Sequence, residues 1–327
     1  MSVPTTVLVL PSPAQGHVNP MMIFSQKLVE YGCNVIFVNT EFIHNKVVSS
    51  MGNQESGVTG GSPIKLVSMP DGLGPDADRN NFLEVSYSIL KNMPAMVEKL
   101  IEDVRLKDGV TVSCVVADFF MAWGLETASK IGIKGVLFCP APASLLALHC
   151  SIPRLIDDGI IDSNELALGL ELTNRPFLWV VRQDSDCNNK VSLPNEFKGN
   201  QGKIVKWAPQ QKVLSHPAIA CFVSHCGWNS TIEGLSNGVP FLCWPYFSDQ
   251  FLNKTYICNE LKVGLGFDSN ENGLISREEI KVKVDKLLSD ENIRSKAQVL
   301  KEKLLKDIKV GGRSSENLNK FINWLKE

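Results

Sequence analysis

An excess of charge of either sign is missing from this chain: 33 basic side chains stand against 35 acidic ones over 327 residues, a formal net charge of −2. Such a surface offers no basic field to a phosphate backbone or an anionic bilayer, so neither nucleic acid nor membrane is an expected partner. No CxxC pair occurs among the nine cysteines, whose odd number and scatter (33, 114, 139, 150, 187, 221, 226, 243, 258) argue against a disulfide framework or a zinc site. They read as reduced thiols that serve as small core hydrophobes. Long hydrophobic runs are missing as well: the longest uncharged stretch, Gly135 to Cys150, is broken by Pro140 and Pro142 and falls short of the roughly 20 residues that a spanning helix needs. The apolar stretch Val7 to Leu10 has no basic flank and is closed by Pro11 and Pro13, so no signal peptide is expected and the cytoplasm is the expected compartment. On that footing the glycosylation patterns at Asn229 and Asn253 are chance matches. There is no internal repeat, and no GxGxxG follows the first apolar run, which argues against a nicotinamide-dependent oxidoreductase.

What is present is a globular composition, 44% apolar and 21% charged, with strand and helix patterns in alternation. Thr6 to Leu10 is a short apolar run, followed by a Pro/Gly loop, Pro20 at a first helical position, a helix to about Glu30 and a second run, Asn34 to Val38. Further buried parallel strands are expected at Ile64 to Val67, Val112 to Ala117 and Gly135 to Phe138, with helices at Asn81 to Arg105 and Met121 to Ile131. The second half repeats the alternation, with strands at Phe177 to Val181, Lys203 to Lys206, Ala218 to Ser224, Pro240 to Trp244 and Gly264 to Phe267. Helices are expected at Ser230 to Ser236 and Gln250 to Glu260, and three helical stretches close the chain: one from Ser276 to Leu288, then Ile293 to Ile308 and Ser315 to Lys326. The class is α/β, doubly wound. One feature breaks the pattern: the helix Asn164 to Leu172 opens the second half with no strand before it, although such a domain begins with a strand.

Two groups of residues could carry chemistry. His17 lies in the loop after the first strand and Asp118 directly follows another, and ligands of open parallel sheets sit at the carboxyl ends of strands. A histidine there can accept a proton at neutral pH, and a carboxylate on its other nitrogen would fix its tautomer. The alternative is a structural loop histidine and a helix-capping aspartate. The second group is the segment Trp207 to Gln250. Ser224 and His225 end an apolar strand, and Gly227 leads into a helix whose free N–H groups suit a pyrophosphate. Trp207 offers an aromatic face, Glu233 an acceptor for ribose hydroxyls, and Asp249 with Gln250 could hold sugar hydroxyls.

The stretch WAPQQKVLSHPAIACFVSHCGWNSTIEGLSNGVPFLCWPYFSDQ resembles the signature box of plant-type family 1 UDP-dependent glycosyltransferases, and PSPAQGHVNPM and VVAD resemble that family's two catalytic stretches. The resemblance implies the GT-B fold, two Rossmann-like doubly wound domains facing a cleft: residues 1–163 for the acceptor and 164–327 for the UDP-sugar. It implies that Trp207 stacks on uracil, that the Ala208 backbone and Gln210 recognise base and ribose, and that Glu233 takes the ribose hydroxyls. His225, Asn229 and Ser230 would hold the phosphates, with Gly227 allowing close approach, and Asp249 and Gln250 the hexose. Trp228 and the terminal Gln250 resemble a UDP-glucose user. His17, oriented by Asp118, would deprotonate a hydroxyl of a small lipophilic acceptor, a flavonoid-like phenolic or a terpenoid. Transfer would invert the anomeric carbon, with no metal and no cofactor beyond the donor sugar nucleotide. A monomer is expected.

The departure from the family lies between LIDDGIIDS and ELALGLEL, where the end of the acceptor domain, the linker and the first strand of the donor domain are missing. Judged against two domains of about 200 residues, a block on the order of a hundred residues is absent. A non-catalytic nucleotide-binding form, acting alone or beside a full-length relative, is therefore a second expectation, as is low stability from an exposed sheet edge. Asp268 to Glu279 also fits the EF-hand loop pattern, but the preceding residues Lys262 to Phe267 read as a strand, and a turn followed by a capping box at Ser276 and Glu279 fits better.

Overall fold

A computed structural model describes residues 5–50, 63–79, 81–142, 163–180, 197, 199, 201–246, 249–270 and 273–327. Cys150, Cys187 and the residues just before Ser163 lie outside that set. The chain divides into two compact units, Met1–Pro140 with Glu316–Glu327, and Ala141–Ser315.

The first unit is a five-stranded parallel sheet in the order β3-β2-β1-β4-β5, formed by β1 (Thr6–Leu10), β2 (Asn34–Thr40), β3 (Ile64–Met69), β4 (Val112–Asp118) and β5 (Lys134–Phe138). This is a doubly wound order with the first strand central. All five residues of β1 are buried, as an unbroken apolar run requires when both sheet faces are covered. Leu8 and Leu10 pack with Ile89, Val97 and Ile101 of helix α3 (Phe82–Asp108). Val7 and Val9 face the other way, toward Met21 and Leu28 of α1 (Gln15–Glu30). Asn81 caps α3 by accepting from the Glu84 amide, and Gly109 ends it in the left-handed conformation. Helices α2 (Glu41–Ser50) and α4 (Trp123–Lys130) complete the βα repeats, the latter preceded by a 3-10 turn at Phe119–Met121.

Two expectations about this unit are corrected. Helix α1 starts at Gln15, not at Pro20, because the Ala14 carbonyl already accepts from the His17 and Val18 amides. Pro20 sits inside the helix, where it removes a single i to i−4 bond. The last helix of the chain, α11 (Arg313–Lys326), also belongs here and not with the second domain as residues 164–327 would have it. Its Leu318, Phe321, Ile322 and Leu325 join the α1 face of the first sheet, and Lys134 and Lys326 donate to the Trp324 and Tyr31 carbonyls.

The second unit holds two separate parallel sheets. One pairs β6 (Phe177–Val180) with β7 (Gly202–Val205), and the other runs β10-β9-β8, from β8 (Phe222–Ser224), β9 (Phe241–Cys243) and β10 (Gly264–Gly266). A complete doubly wound sheet in the order 3-2-1-4-5-6 places its first strand between its second and its fourth. Here the second and fourth positions are β6 and β8, and among the described residues no strand joins them. Among the described residues, the two sheets are those of a doubly wound order with its first position unfilled. The helix expected to open this half is α5 (Ser163–Leu172), packed on α9 (Arg277–Ser289) so closely that a Cβ at Gly169 would lie 2.7 Å from the Ile280 side chain. Arg277 clasps the Glu165 carboxylate at 2.6 Å, which holds that carboxyl below the usual range.

The remaining helices are α6 (Gln210–Leu214), α7 (Trp228–Asn237), α8 (Gln250–Thr255) with a π-helical turn at Tyr256–Glu260, and α10 (Glu291–Ile308). The expected strand from Ala218 begins only at Phe222; the turn closed by the Ile219 amide on His216 occupies the preceding residues. Strand β10 stands where an EF-hand needs its first helix, and Ser276 accepts from the Glu279 amide at 3.3 Å, as a capping box does. The described cysteines 33, 114, 139, 221, 226, 243 and 258 are all reduced. No described helix is long and apolar enough to cross a membrane.

Candidate active site

His17 is in the first turn of α1 and Asp118 is the last residue of β4, which pairs directly with β1. The expectation that two neighbouring strand ends would bring them together is met: His17 Nδ1 lies 2.8 Å from Asp118 Oδ2. Asp118 is fully buried and the His17 side chain 22% exposed, so a sequestered carboxylate steers a ring that still reaches solvent. The other carboxylate oxygen accepts from the Phe120 amide at 3.0 Å, and the Phe120 ring meets His17 edge-on. Asp118 therefore does both jobs weighed for it. It caps the 3-10 turn with one oxygen and, with the other, fixes Nδ1 as the protonated nitrogen, leaving Nε2 as the basic one.

In the second unit, β8 ends at Ser224 and the chain turns sharply through His225, Cys226 and Gly227 into α7. Cys226 takes a left-handed backbone (φ +66), a strained conformation for a non-glycine residue, and is held there from several sides. Its amide donates to Ser224 Oγ at 3.0 Å, and its carbonyl accepts from Asn253 Nδ2 at 2.8 Å. A Cβ on Gly227 would lie 2.3 Å from His225 Nε2, so the imidazole folds over a site that only glycine leaves open. Asn229 and Ser230 occupy the first turn of α7, with Ser230 buried. The first-turn N–H groups of α7 thus follow directly on the turn at Gly227.

Trp207, just beyond β7, is 68% exposed. Ala208 and Pro209 lead into α6, where Gln210 Nε2 donates to Ser230 Oγ at 2.9 Å and to Glu233 Oε2 at 2.5 Å. Three residues assigned to base, ribose and phosphate are thus one hydrogen-bonded group. Asp249 precedes α8, and Gln250 is buried with its side-chain Oε1 accepting from the Tyr246 amide. Asn253 was missed by sequence reasoning: it donates to Asp249 Oδ2 at 2.8 Å as well as to the Cys226 carbonyl, tying the phosphate turn to the residue assigned to the sugar. Its only sequence signal is its place one helical turn after Asp249. Its burial also removes it as a glycosylation site.

The family model described as UDP-glucoronosyl and UDP-glucosyl transferase matches residues 160–308. UDP-glycosyltransferase 83A1 of Arabidopsis thaliana is 34% identical, with the alignment covering 98% of this chain and 96% of that protein. The chain is a plant UDP-glycosyltransferase. A flavonol 3-O-glucosyltransferase of the same plant is 40% identical over 168 residues, half of this chain and 36% of that protein. In fold, the chain is similar to Os79 of O. sativa, solved with U2F and a trichothecene, with a TM-score of 0.80, 21% identity and coverage of 98% and 100% of the two chains. The alignment with the 83A1 enzyme runs over 455 positions, so at least 128 of them, the excess over 327, have no residue of this glycosyltransferase opposite them. The missing block anticipated from the strandless helix at Asn164 is of that size.

Proposed function

We propose that this glycosyltransferase moves glucose from UDP-glucose to a hydroxyl of a small lipophilic acceptor, with inversion at the anomeric carbon. The reading is supported above all by the His17–Asp118 pair, whose buried carboxylate leaves Nε2 free to act as a base. His17 Nε2 takes the acceptor's hydroxyl proton while the acceptor oxygen bonds to the anomeric carbon. The bond from that carbon to the UDP oxygen breaks, and its electron pair leaves with UDP. Asp118 stabilises the imidazolium that forms. The charge growing on UDP is met by the N-terminus of α7 and by His225.

Donor placement follows the same assignment: Trp207 stacks on uracil, Ala208 and Gln210 read base and ribose, and Glu233 holds ribose hydroxyls. His225, Asn229 and Ser230 hold phosphates, and Asp249 and Gln250 the hexose, with Trp228 beside them. No metal and no separate cofactor enters the scheme. The acceptor class rests on relatives, one named as a flavonol glucosyltransferase and another solved with a trichothecene. The split donor sheet favours a second reading, a UDP-binding chain without turnover. UDP release from UDP-glucose over a panel of phenolic and terpenoid acceptors separates the two. Transfer predicts acceptor-dependent release that His17→Ala removes while UDP binding persists; the second reading predicts binding and no release.

A further inference from the structure

Three thiols meet beneath the phosphate turn, in a part of the donor unit that the transfer scheme does not use. Cys226 belongs to the turn itself, Cys243 ends β9 and Cys258 lies in the π-helical turn after α8; all three join one apolar cluster. Cys226 and Cys243 are fully buried, and Cys258 is partly exposed. Cys258 Sγ and Cys243 Sγ are 3.8 Å apart and share a hydrogen bond. We propose that Cys258 and Cys243 are a peroxide-responsive pair that closes to a disulfide, with Cys258 as the thiol that reacts with peroxide and Cys243 as the resolving one.

The two thiols differ in the way such a pair requires. Cys258 is held below the ordinary thiol range by the Cys243 hydrogen bond and by the positive charges of Lys254 and Lys283. Lys283 is itself fixed by Asp268 at 2.7 Å and Glu279 at 3.3 Å, so one of these cations is anchored. Cys243, enclosed by Cys226 and Cys258, is pushed up and keeps its proton. A partly exposed thiol near cations gives up its proton to react with peroxide more readily than a buried one, and burial pushes Cys114 up to about 12 and Cys221 to about 11.

The chemistry balances with hydrogen peroxide as the oxidant. The Cys258 thiolate attacks one peroxide oxygen and becomes a sulfenic acid, releasing hydroxide that takes a proton to give water. Cys243 then attacks the Cys258 sulfur, and its proton leaves with the sulfenic hydroxyl as a second water. Two thiols are oxidised and one peroxide is reduced. The sulfurs must approach from 3.8 Å to the roughly 2.05 Å of a disulfide, a move within one packed cluster. The bond joins residues 15 apart in sequence and closes the loop that carries Asp249 and Gln250. That consequence for donor binding rests on the roles proposed above; the oxidation itself does not.

The test is peptide mapping of the folded chain after graded peroxide, without reductant. Trypsin places Cys258 alone on peptide 255–262 and Cys243 on 213–254 with Cys221 and Cys226. The expected product is the two peptides cross-linked with the loss of two hydrogens, at doses that leave Cys33 and Cys114 unmodified. Cys243→Ser should abolish the cross-link and leave a Cys258 sulfenic acid that dimedone captures, while Cys226→Ser should retain it. Cys258 reacting no faster than Cys114 in the wild-type chain, or a cross-link that survives Cys243→Ser, would overturn the proposal. Fragmentation of the wild-type cross-linked peptides between Cys226 and Cys243 assigns the bond on its own, so a variant that fails to fold does not obscure the outcome. The map also needs no donor, so its failure is distinct from a failure of the transfer reading.

Discussion

Single side chains here divide into those that stabilise and those left free to bind, and exposure separates the two. Trp207, 68% exposed, stabilises little: its truncation should change folding stability by no more than about 0.5 kcal/mol, the usual range at such positions. If it stacks on uracil, Trp207→Ala should instead cost about 1–3 kcal/mol of UDP affinity, the range for base–aromatic stacking. Calorimetric titration with UDP beside a thermal melt checks both halves. Unchanged affinity would remove Trp207 from the donor site.

Glu165 shows the opposite case. Its carboxylate receives the Arg277 guanidinium and backbone amide, and its pKa is lowered, chiefly by the guanidinium hydrogen bond. A carboxyl with a lower pKa folded than unfolded contributes stability that is fully present above the unfolded value near 4.5 and lost as pH falls through the folded value. With both partners partly solvated, the contribution is about 1 kcal/mol. Glu165→Gln should therefore destabilise the chain at pH 7 and bring its stability closer to wild type at the acid end, as denaturant melts across pH would record. A cost that stays constant with pH would deny the ion pair that role.

Among elements, the decisive feature is the position between β6 and β8, where no strand is found among the described residues. β6 bonds β7 through the Phe177 amide and β8 bonds β9 through the Phe222 amide, so strand alternation turns the amides of Leu178, Val180 and Val223 away from those partners. Hydrogen exchange should find these three fast and the β9 amides, flanked on both sides, slow. Protection at Leu178 and Val223 would mean that another segment fills the first-strand position. Such an edge is also a template for pairing between chains, the more so because Leu178, Val180 and Ile204 are exposed.

This gap was legible in the sequence because a helix at Asn164 with no strand before it violates the rhythm of a doubly wound domain. The His17–Asp118 pairing was legible for a related reason: parallel sheets gather the residues after their strands at one edge. The start of α1 was not, since Pro20 marks a favourable first position but does not forbid a helix that has already begun. Nor was the role of Asn253, whose two hydrogen bonds reach a backbone carbonyl and a neighbouring turn that no local pattern encodes.

On the scale of the whole molecule, two units of unequal completeness share one chain. The first has an intact five-stranded sheet, covered on its α1 side by α11 from the far end of the sequence. An amphipathic pattern shows that a helix has an apolar face, not which sheet it will cover, so this return could not be read from Ser315 to Lys326. Ile322 is buried there, and Ile322→Ala should cost about 2–5 kcal/mol by cavity formation, read from denaturant melts. A loss below 1 kcal/mol, the scale of a surface change, would mean that α11 is not part of the first unit's core.

The second unit keeps the residues assigned to the donor while no strand joins its two sheets among the described residues, so the central claim is that a shortened glycosyltransferase still performs transfer. The most direct measurement is UDP release from UDP-glucose by the purified chain, with and without phenolic acceptors, beside His17→Ala. The account predicts acceptor-dependent release that falls by about 10²- to 10⁴-fold in the variant, the usual contribution of a general base, with UDP affinity unchanged. Release that is absent from the wild-type chain, or that His17→Ala leaves intact, would contradict it.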